Sequence, residues 1–201
     1  WTHYYEMAAK LFPELSFQAD SKGFPYKYLQ ACSRSGHSRS YGFIPCGSLK
    51  SKHWPISRFI ELAARFEDEG YKVHFYLGTS ETNYTEDIVR KLNNPEIEVN
   101  LSLQELAINL QQHEIVIAND CGPMHIAAVI GCPLIAIFRD TLPQCWFPYQ
   151  KANQTVIGGQ THKVYHGGAV DLSWPEVVEV KNLANNLARL LPKSDRISSS
   201  R

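Results

Sequence analysis

The feature that most constrains the fold is residues 115–138, where two apolar, largely β-branched runs enclose a short segment of small residues. Residues 115–118 and 134–138 have the composition of buried strands. Between them, Pro123 suits the first turn of a helix and Gly131 suits its end. A strand, a helix and a second strand in this order predict the repeating unit of a parallel sheet covered by helices.

The same alternation extends over most of the chain. Two sequences have the form of a capping box, Ser102 with Glu105 and Ser173 with Glu176, and each predicts the start of a helix. The alternation predicts an α/β fold, a Rossmann-like doubly wound parallel sheet. The expected strands cover residues 41–46, 72–77, 97–99, 115–118, 134–138 and 155–157, and the expected helices cover 55–69, 81–92, 124–130, 173–191 and a segment after Ser102.

The two ends of the chain differ from this central region. Residues 1–12 have a helix-like spacing of apolar side chains, and residues 33–40 form a polar, basic run that is typical of a mobile linker. We therefore expect residues 1–40 to be a remnant of a preceding domain and its linker, 41–191 to be the Rossmann-like domain, and 192–201 to be a polar tail. Because the first residue is Trp1 rather than Met, we expect a fragment or a processed or trimmed chain.

Composition narrows the class of function. The formal net charge is +0 with a pI near 7.2, which argues against nucleic acid as a partner. The 5 cysteines form no C-x-x-C pair, as expected of reduced thiols in a cytoplasmic protein. The apolar runs are shorter than a signal peptide or a membrane span requires.

Four loops should emerge at one edge of the sheet, because the carboxyl ends of parallel strands meet there. Lys52 offers a positive charge suited to phosphate, Ser48 a hydroxyl, and Glu81 a carboxylate that can bind a ribose. Gly122 allows close approach of a ligand to the start of a helix, which attracts anions. Neither G-x-G-x-x-G nor G-x-x-x-x-G-K-[ST] occurs, so the pattern favours a nucleotide-diphosphate cleft of another kind. The loops cover residues 47–52, 78–81, 119–125 and 139–143.

A simpler reading of the third loop remains open. Asp120 can act only as a helix cap, which is a common role of aspartate, and His125 can act only as a packing residue.

Four sequence blocks together resemble a known family, glycosyltransferase family 9, the bacterial lipopolysaccharide heptosyltransferases. Residues 52–55 (KHWP) resemble its K-x-W-P block, and residues 119–128 (NDCGPMHIAA) resemble its D-[ST]-G-x-x-H-x-x-A signature. Residues 78–81 (GTSE) resemble its G-x-x-E, and residues 102–106 (SLQEL) its S-L-x-E-L. Order and spacing agree across residues 41–191.

The resemblance implies the C-terminal, donor-binding domain of a GT-B enzyme that inverts the anomeric carbon. The implied donor is ADP-L-glycero-D-manno-heptose, the acceptor is the Kdo–lipid A inner core or a heptose already attached to it, and no further cofactor or metal is required. A carboxylate in the N-terminal domain is the expected general base, so no catalytic residue is assigned within this chain. The expected location is the cytoplasm, with peripheral contact at the inner face of the inner membrane left open.

The resemblance also implies roles for particular residues. Ser48 and Lys52 would contact the diphosphate, Glu81 the ribose, Leu101 the adenine and Asp120 the heptose hydroxyls, while Cys121, Gly122 and His125 would line the phosphates.

Three departures bear on the donor sugar. Cys121 stands where the family usually has Thr or Ser, Arg139 stands where Gly is common, and the Gly47–Ser48 pair replaces the more hydroxyl-rich pair of some members. Two alternatives stay open: a non-catalytic or degenerate nucleotide-sugar-binding module, and another GT-B-like nucleotide-sugar enzyme such as an epimerase.

Overall fold

The computed structural model describes residues 39–139, 141, 146, 154–158 and 174–191. Within these residues the chain forms one six-stranded sheet in the order β3-β2-β1-β4-β5-β6, and every neighbouring pair is parallel. The strands are β1 (Ser40–Ile44), β2 (Lys72–Leu77), β3 (Glu96–Val99), β4 (Ile115–Asn119), β5 (Leu134–Phe138) and β6 (Gln154–Gly158). The α-helices in the same residues are α1 (Ile56–Asp68), α2 (Thr85–Lys91), α3 (Leu103–Leu110), α4 (Gly122–Val129) and α5 (Val177–Leu190).

The sheet is covered on both faces, because its central strands bury side chains in both directions. On one face, Phe43 and Ile117 pack with α1 and α5 residues such as Phe66. On the other face, Val116 packs with α3 and α4 residues such as Met124. The predicted α/β doubly wound parallel sheet is therefore confirmed.

The strand order places a topological switch point between β1 and β4. These strands pair from Tyr41↔Ile115 to Ile44↔Ala118. Towards β2 and β3 the chain winds in one direction, and towards β5 and β6 it winds in the other. In open α/β sheets, ligands bind at the carboxyl edge beside such a switch point. We call this edge, between the loops that follow β1 and β4, the crevice.

Two predicted helix starts are wrong. The segment after β2 first forms a 3₁₀ turn, Thr79–Tyr84, and α2 begins only at Thr85. Helix α5 begins at Val177, where Glu176 and Glu179 form the capping box. Its start is delayed because the carbonyl of Pro175 accepts hydrogen bonds from the Trp54 indole at 2.9 Å and from Arg58 at 2.7 Å.

Other boundaries follow the predictions closely. Strands β2 and β5 have the predicted bounds, and the Ser102–Glu105 capping box is present at α3. The predicted helix at 1–12 and the polar tail at 192–201 lie outside the described residues.

Ser40 belongs to β1 and not to the predicted linker. It is fully buried, and its hydroxyl forms a 3.0 Å hydrogen bond with His113 Nδ1. Tyr76 binds the other ring nitrogen of His113 at 2.5 Å. Gly42 makes room for this ring, since a Cβ there would lie 2.6 Å from His113 Cδ2. This buried contact fixes Ser40 at the start of the strand, although the surrounding sequence is polar.

No helix in the described part of the chain is both long enough and apolar enough to cross a membrane.

Candidate functional site

The two charged residues predicted at the crevice meet in the structure. Lys52 ends the 3₁₀ turn Lys50–Lys52 after β1, and Asp120 follows β4. Lys52 Nζ donates to Asp120 Oδ2 at 2.8 Å, with the two side chains 17% and 4% exposed. The Thr141 hydroxyl donates to the same oxygen at 2.5 Å. The carboxylate is thus shielded from water, whereas the Lys52 side chain stays partly exposed.

Helix α4 begins beside this ion pair. Its N-cap, Cys121, makes no side-chain cap hydrogen bond, and Pro123 lies in the first turn. Gly122 is exposed, and a Cβ added to it would meet no atom within 4 Å. Because the N–H groups at a helix start carry partial positive charge, the open space in front of Gly122 favours an anionic group.

His125 lies in the same helix and is only 4% exposed. Burial lowers the pKa of its imidazole to about 4, and the nearby positive charge of Lys52 also lowers this pKa, while Asp120 opposes the change. Both charged groups are therefore close enough to act on the ring. At neutral pH the imidazole is uncharged, so Lys52 supplies the positive side-chain charge of this group of three residues.

Cys121 is buried in the same core cluster as a second cysteine, Cys46, which follows β1. The interaction of its thiol with the Cys46 thiol, together with burial, raises the pKa of Cys121 well above its usual value. The thiol is therefore neutral at physiological pH and adds no negative charge near the start of α4. Where the family that the sequence resembles usually has a hydroxyl, this chain has a buried thiol.

The other predicted residues follow neighbouring strands along the same edge of the sheet. Ser48 is exposed in the loop after β1. Glu81 follows β2 and is 4% exposed, and its carboxylate accepts from the Ser80 hydroxyl at 2.7 Å. A Cβ at Gly78 would lie 2.7 Å from Glu81 Oε2, so this glycine makes room for the carboxylate. Leu101 follows β3 and packs partly buried against the core. The roles assigned to these residues stay predictions.

Several residues near the crevice were not predicted as site residues. Asn119 has the clearest signal in the sequence, a polar residue at the end of an otherwise apolar strand. Arg139 donates to the Ser51 carbonyl at 3.3 Å and lies 5.1 Å over the Trp174 ring. Trp146, half exposed, lies 5.6 Å from Lys52 Nζ. No sequence signal places this tryptophan beside Lys52, because the contact depends on how the chain returns after β5.

Among the described residues, no group of three or more His, Cys, Asp or Glu side chains could hold a metal ion. The groups that can contact an anion are an ammonium, a helix start and neutral side chains. A doubly wound parallel sheet with these groups at its switch point defines the chain as a Rossmann-like α/β domain, a class whose ligands bind at this edge of the sheet.

Comparison with known proteins identifies the family. The model of glycosyltransferase family 9 (heptosyltransferase) matches residues 4–167. The chain therefore belongs to glycosyltransferase family 9.

Relatives in this family are about twice as long as the chain. Lipopolysaccharide heptosyltransferase 2 of Escherichia coli (strain K12) is 26% identical over 188 residues, which cover 86% of this chain and 53% of the relative. The structure of E. coli ADP-heptose lps heptosyltransferase II is similar with a TM-score of 0.68 and 22% identity, over 83% of this chain and 54% of that one. E. coli heptosyltransferase WaaC with ADP is similar with a TM-score of 0.65 and 22% identity, over 75% of this chain and 45% of that one. The chain thus spans about half the length of these relatives, and the structural likenesses support its fold.

Proposed function

We propose that the chain is the donor-binding half of a heptosyltransferase, which binds a nucleotide-activated sugar for transfer to the lipopolysaccharide inner core. The main support for this proposal is the Lys52–Asp120 ion pair, which lies at the switch point beside the open start of α4. ADP-heptose is the proposed donor, because relatives of the same fold have been solved with ADP and with ADP-2-deoxy-2-fluoro heptose.

The diphosphate would lie in front of α4. Lys52 would bind it through the ammonium group that Asp120 holds at 2.8 Å. The N–H of Gly122 and the exposed hydroxyl of Ser48 would add neutral donors, and the uncharged imidazole of His125 would line the pocket without a further charge. Cys121 would contribute a neutral thiol in place of a hydroxyl.

Asp120 would contact the heptose as well as Lys52. Its Oδ2 already accepts from Lys52 and Thr141. A carboxylate has two oxygens and about four acceptor positions, so Asp120 can hold Lys52 and bind sugar hydroxyls together. At the other end of the donor, Glu81 would bind the ribose and Leu101 would contact the adenine.

The chemistry that this half supports is stabilisation of the leaving group. When the sugar–phosphate bond breaks, negative charge grows on the departing diphosphate. Lys52 and the start of α4 stabilise that charge with groups that are already oriented. An inverting displacement also needs a base to activate the acceptor hydroxyl, and we assign that base to a preceding N-terminal domain.

The proposed acceptor is the lipid A inner core, reached through the same N-terminal domain. The proposed place of reaction is the cytoplasmic side of the inner membrane, where peripheral contact with the bilayer would bring acceptor and donor together.

Transfer by the intact gene product tests the function. With ADP-heptose and a lipid A core acceptor, we expect release of ADP and a heptosylated product of inverted anomeric configuration, detected by mass spectrometry and NMR. Asp120→Asn should lower kcat for transfer while ADP still binds. A protein that binds ADP-heptose without transfer would be a non-catalytic module, and a protein that changes the donor's sugar without an acceptor would be an epimerase; either result contradicts the proposal.

A further inference from the structure

Asn119 connects both ends of the loop that carries Lys52. Asn119 is the last residue of β4 and is fully buried. Its Nδ2 donates to the carbonyl of Pro45 at 2.9 Å, and its Oδ1 accepts from the backbone N–H of Trp54 at 3.0 Å. Pro45 comes directly after β1, and Trp54 lies just before α1. One side-chain amide therefore closes residues 45–54, which we call the Lys52 loop.

Between these two ends the Lys52 loop bonds mainly to itself. The backbone N–H of Lys52 donates to Leu49 at 2.9 Å, and that of His53 donates to Lys50 at 3.1 Å. The His53 ring donates from Nε2 to the carbonyl of Gly47 at 2.8 Å. Because these bonds make the loop a compact unit, its place over the sheet depends on how its ends are attached.

Asn119 and Asp120 are consecutive, and they hold different parts of this loop. Asn119 binds its two ends, and Asp120 binds the ammonium group at its tip. We propose that Asn119 is a positioning residue for donor binding, which sets Lys52 relative to the first turn of α4 without contacting the donor. The proposal rests on the proposed function of the crevice and deepens it.

The amide is required because the two loop ends need opposite partners. Pro45 presents a carbonyl, which needs a donor, and Trp54 presents an N–H, which needs an acceptor. An asparagine side chain supplies both from one planar group. A carboxylate supplies only acceptors, so a negatively charged oxygen would face the Pro45 carbonyl, and an alanine supplies neither.

Two variants separate positioning from general loss of structure. In Asn119→Asp, the carboxyl group still accepts from the Trp54 N–H. It can donate to the Pro45 carbonyl only when it is protonated, so this bond is lost in the ionised form. ADP affinity measured by calorimetry on the full chain should fall about 10- to 100-fold at pH 8, as expected when a binding group is displaced by about 1 Å. At pH 5.5 it should recover towards wild type. The affinity of Asn119→Ala for ADP should be lower than that of wild type at both pH values. Each value is divided by that of wild type at the same pH, so that titration of ADP and of the nearby histidines cancels.

Amide hydrogen exchange at Trp54, measured relative to that of a central strand amide such as Ile117, tests the attachment directly and does not depend on ADP binding. Exchange at Trp54 should be faster in Asn119→Ala and close to wild type in Asn119→Asp, which keeps the acceptor. If wild type binds ADP and both variants bind it equally tightly, the positioning role is wrong while the proposed function stands. If wild type binds no ADP, the proposed function itself is contradicted, and the positioning role is contradicted with it.

Discussion

Removing the ammonium group of Lys52 should destabilise the fold, because it leaves a buried carboxylate with a hydroxyl as its remaining side-chain partner among the described residues. Asp120 is 4% exposed at its side chain and accepts from Lys52 at 2.8 Å and from Thr141 at 2.5 Å. Loss of one partner of a fully buried ion pair costs about 3–5 kcal/mol. Since the Lys52 side chain keeps 17% exposure, the pair is not fully buried, and we expect a loss of about 2–3 kcal/mol in the free energy of unfolding for Lys52→Met.

The opposite change should be less damaging. In Asp120→Asn the freed ammonium group of Lys52 can turn towards water in the crevice, so we expect the free energy of unfolding to fall by about 1 kcal/mol. The double variant leaves no unpaired charge, and its loss should be smaller than the sum of the two single losses by about 1–2 kcal/mol.

Urea unfolding followed by tryptophan fluorescence measures these free energies. Lys50→Met is the matched control, because Lys50 lies in the same 3₁₀ turn, is exposed, and should change stability by less than about 0.5 kcal/mol. If the loss of stability in the double variant equals the sum of the two single losses to within about 0.5 kcal/mol, Lys52 and Asp120 are not coupled in solution and the prediction is refuted.

Three further predictions use the same unfolding assay. Gly42→Ala should lower the free energy of unfolding by about 1–3 kcal/mol, since its Cβ would lie 2.6 Å from His113. Gly122→Ala should leave the urea midpoint unchanged, but it should weaken ADP binding because it fills the open space before α4. Stability should fall as the pH drops from about 6.5 towards 3, because burial lowers the pKa of His113 to about 3 and that of His125 to about 4. In this pH range the unfolded chain takes up protons that the folded chain does not. His113→Gln should make stability depend less on pH, and an unchanged dependence would contradict the assignment. Ser102→Ala should cost about 1 kcal/mol by removing the acceptor for the Glu105 N–H, and an unaltered midpoint would show that this cap is dispensable.

The parallel sheet could be predicted because its signal is local. Apolar runs such as residues 115–118 and 134–138 are separated by helix starts and stops that act within a few residues. The delayed start of α5 could not be predicted in this way. The sequence before it contains a capping box, but the Pro175 carbonyl binds Trp54 and Arg58, which lie more than 100 positions earlier in the chain.

The candidate site, like the fold, could be predicted only in part from the sequence. The positions of Lys52 and Asp120 at strand ends predicted that both would lie at the crevice, but their direct ion pair was not predicted. The double attachment of Asn119 was also missed, because it depends on two backbone groups that no side-chain pattern reveals. Sequence motifs thus indicate which groups gather at an edge, while their pairing depends on the tertiary structure.

The central claim is that the crevice between β1 and β4 is a pyrophosphate site that depends on the charge of Lys52. Calorimetric titration of the chain with ADP, UDP and GDP tests it most directly, with Lys52→Met and the control Lys50→Met measured alongside. A charge-assisted hydrogen bond contributes about 1.5–3 kcal/mol, so we expect ADP to be preferred and its affinity to fall about 10- to 150-fold in Lys52→Met while Lys50→Met binds like wild type. Equal affinity of Lys52→Met and wild type for ADP, or no binding of any of the three nucleotides, would contradict the claim.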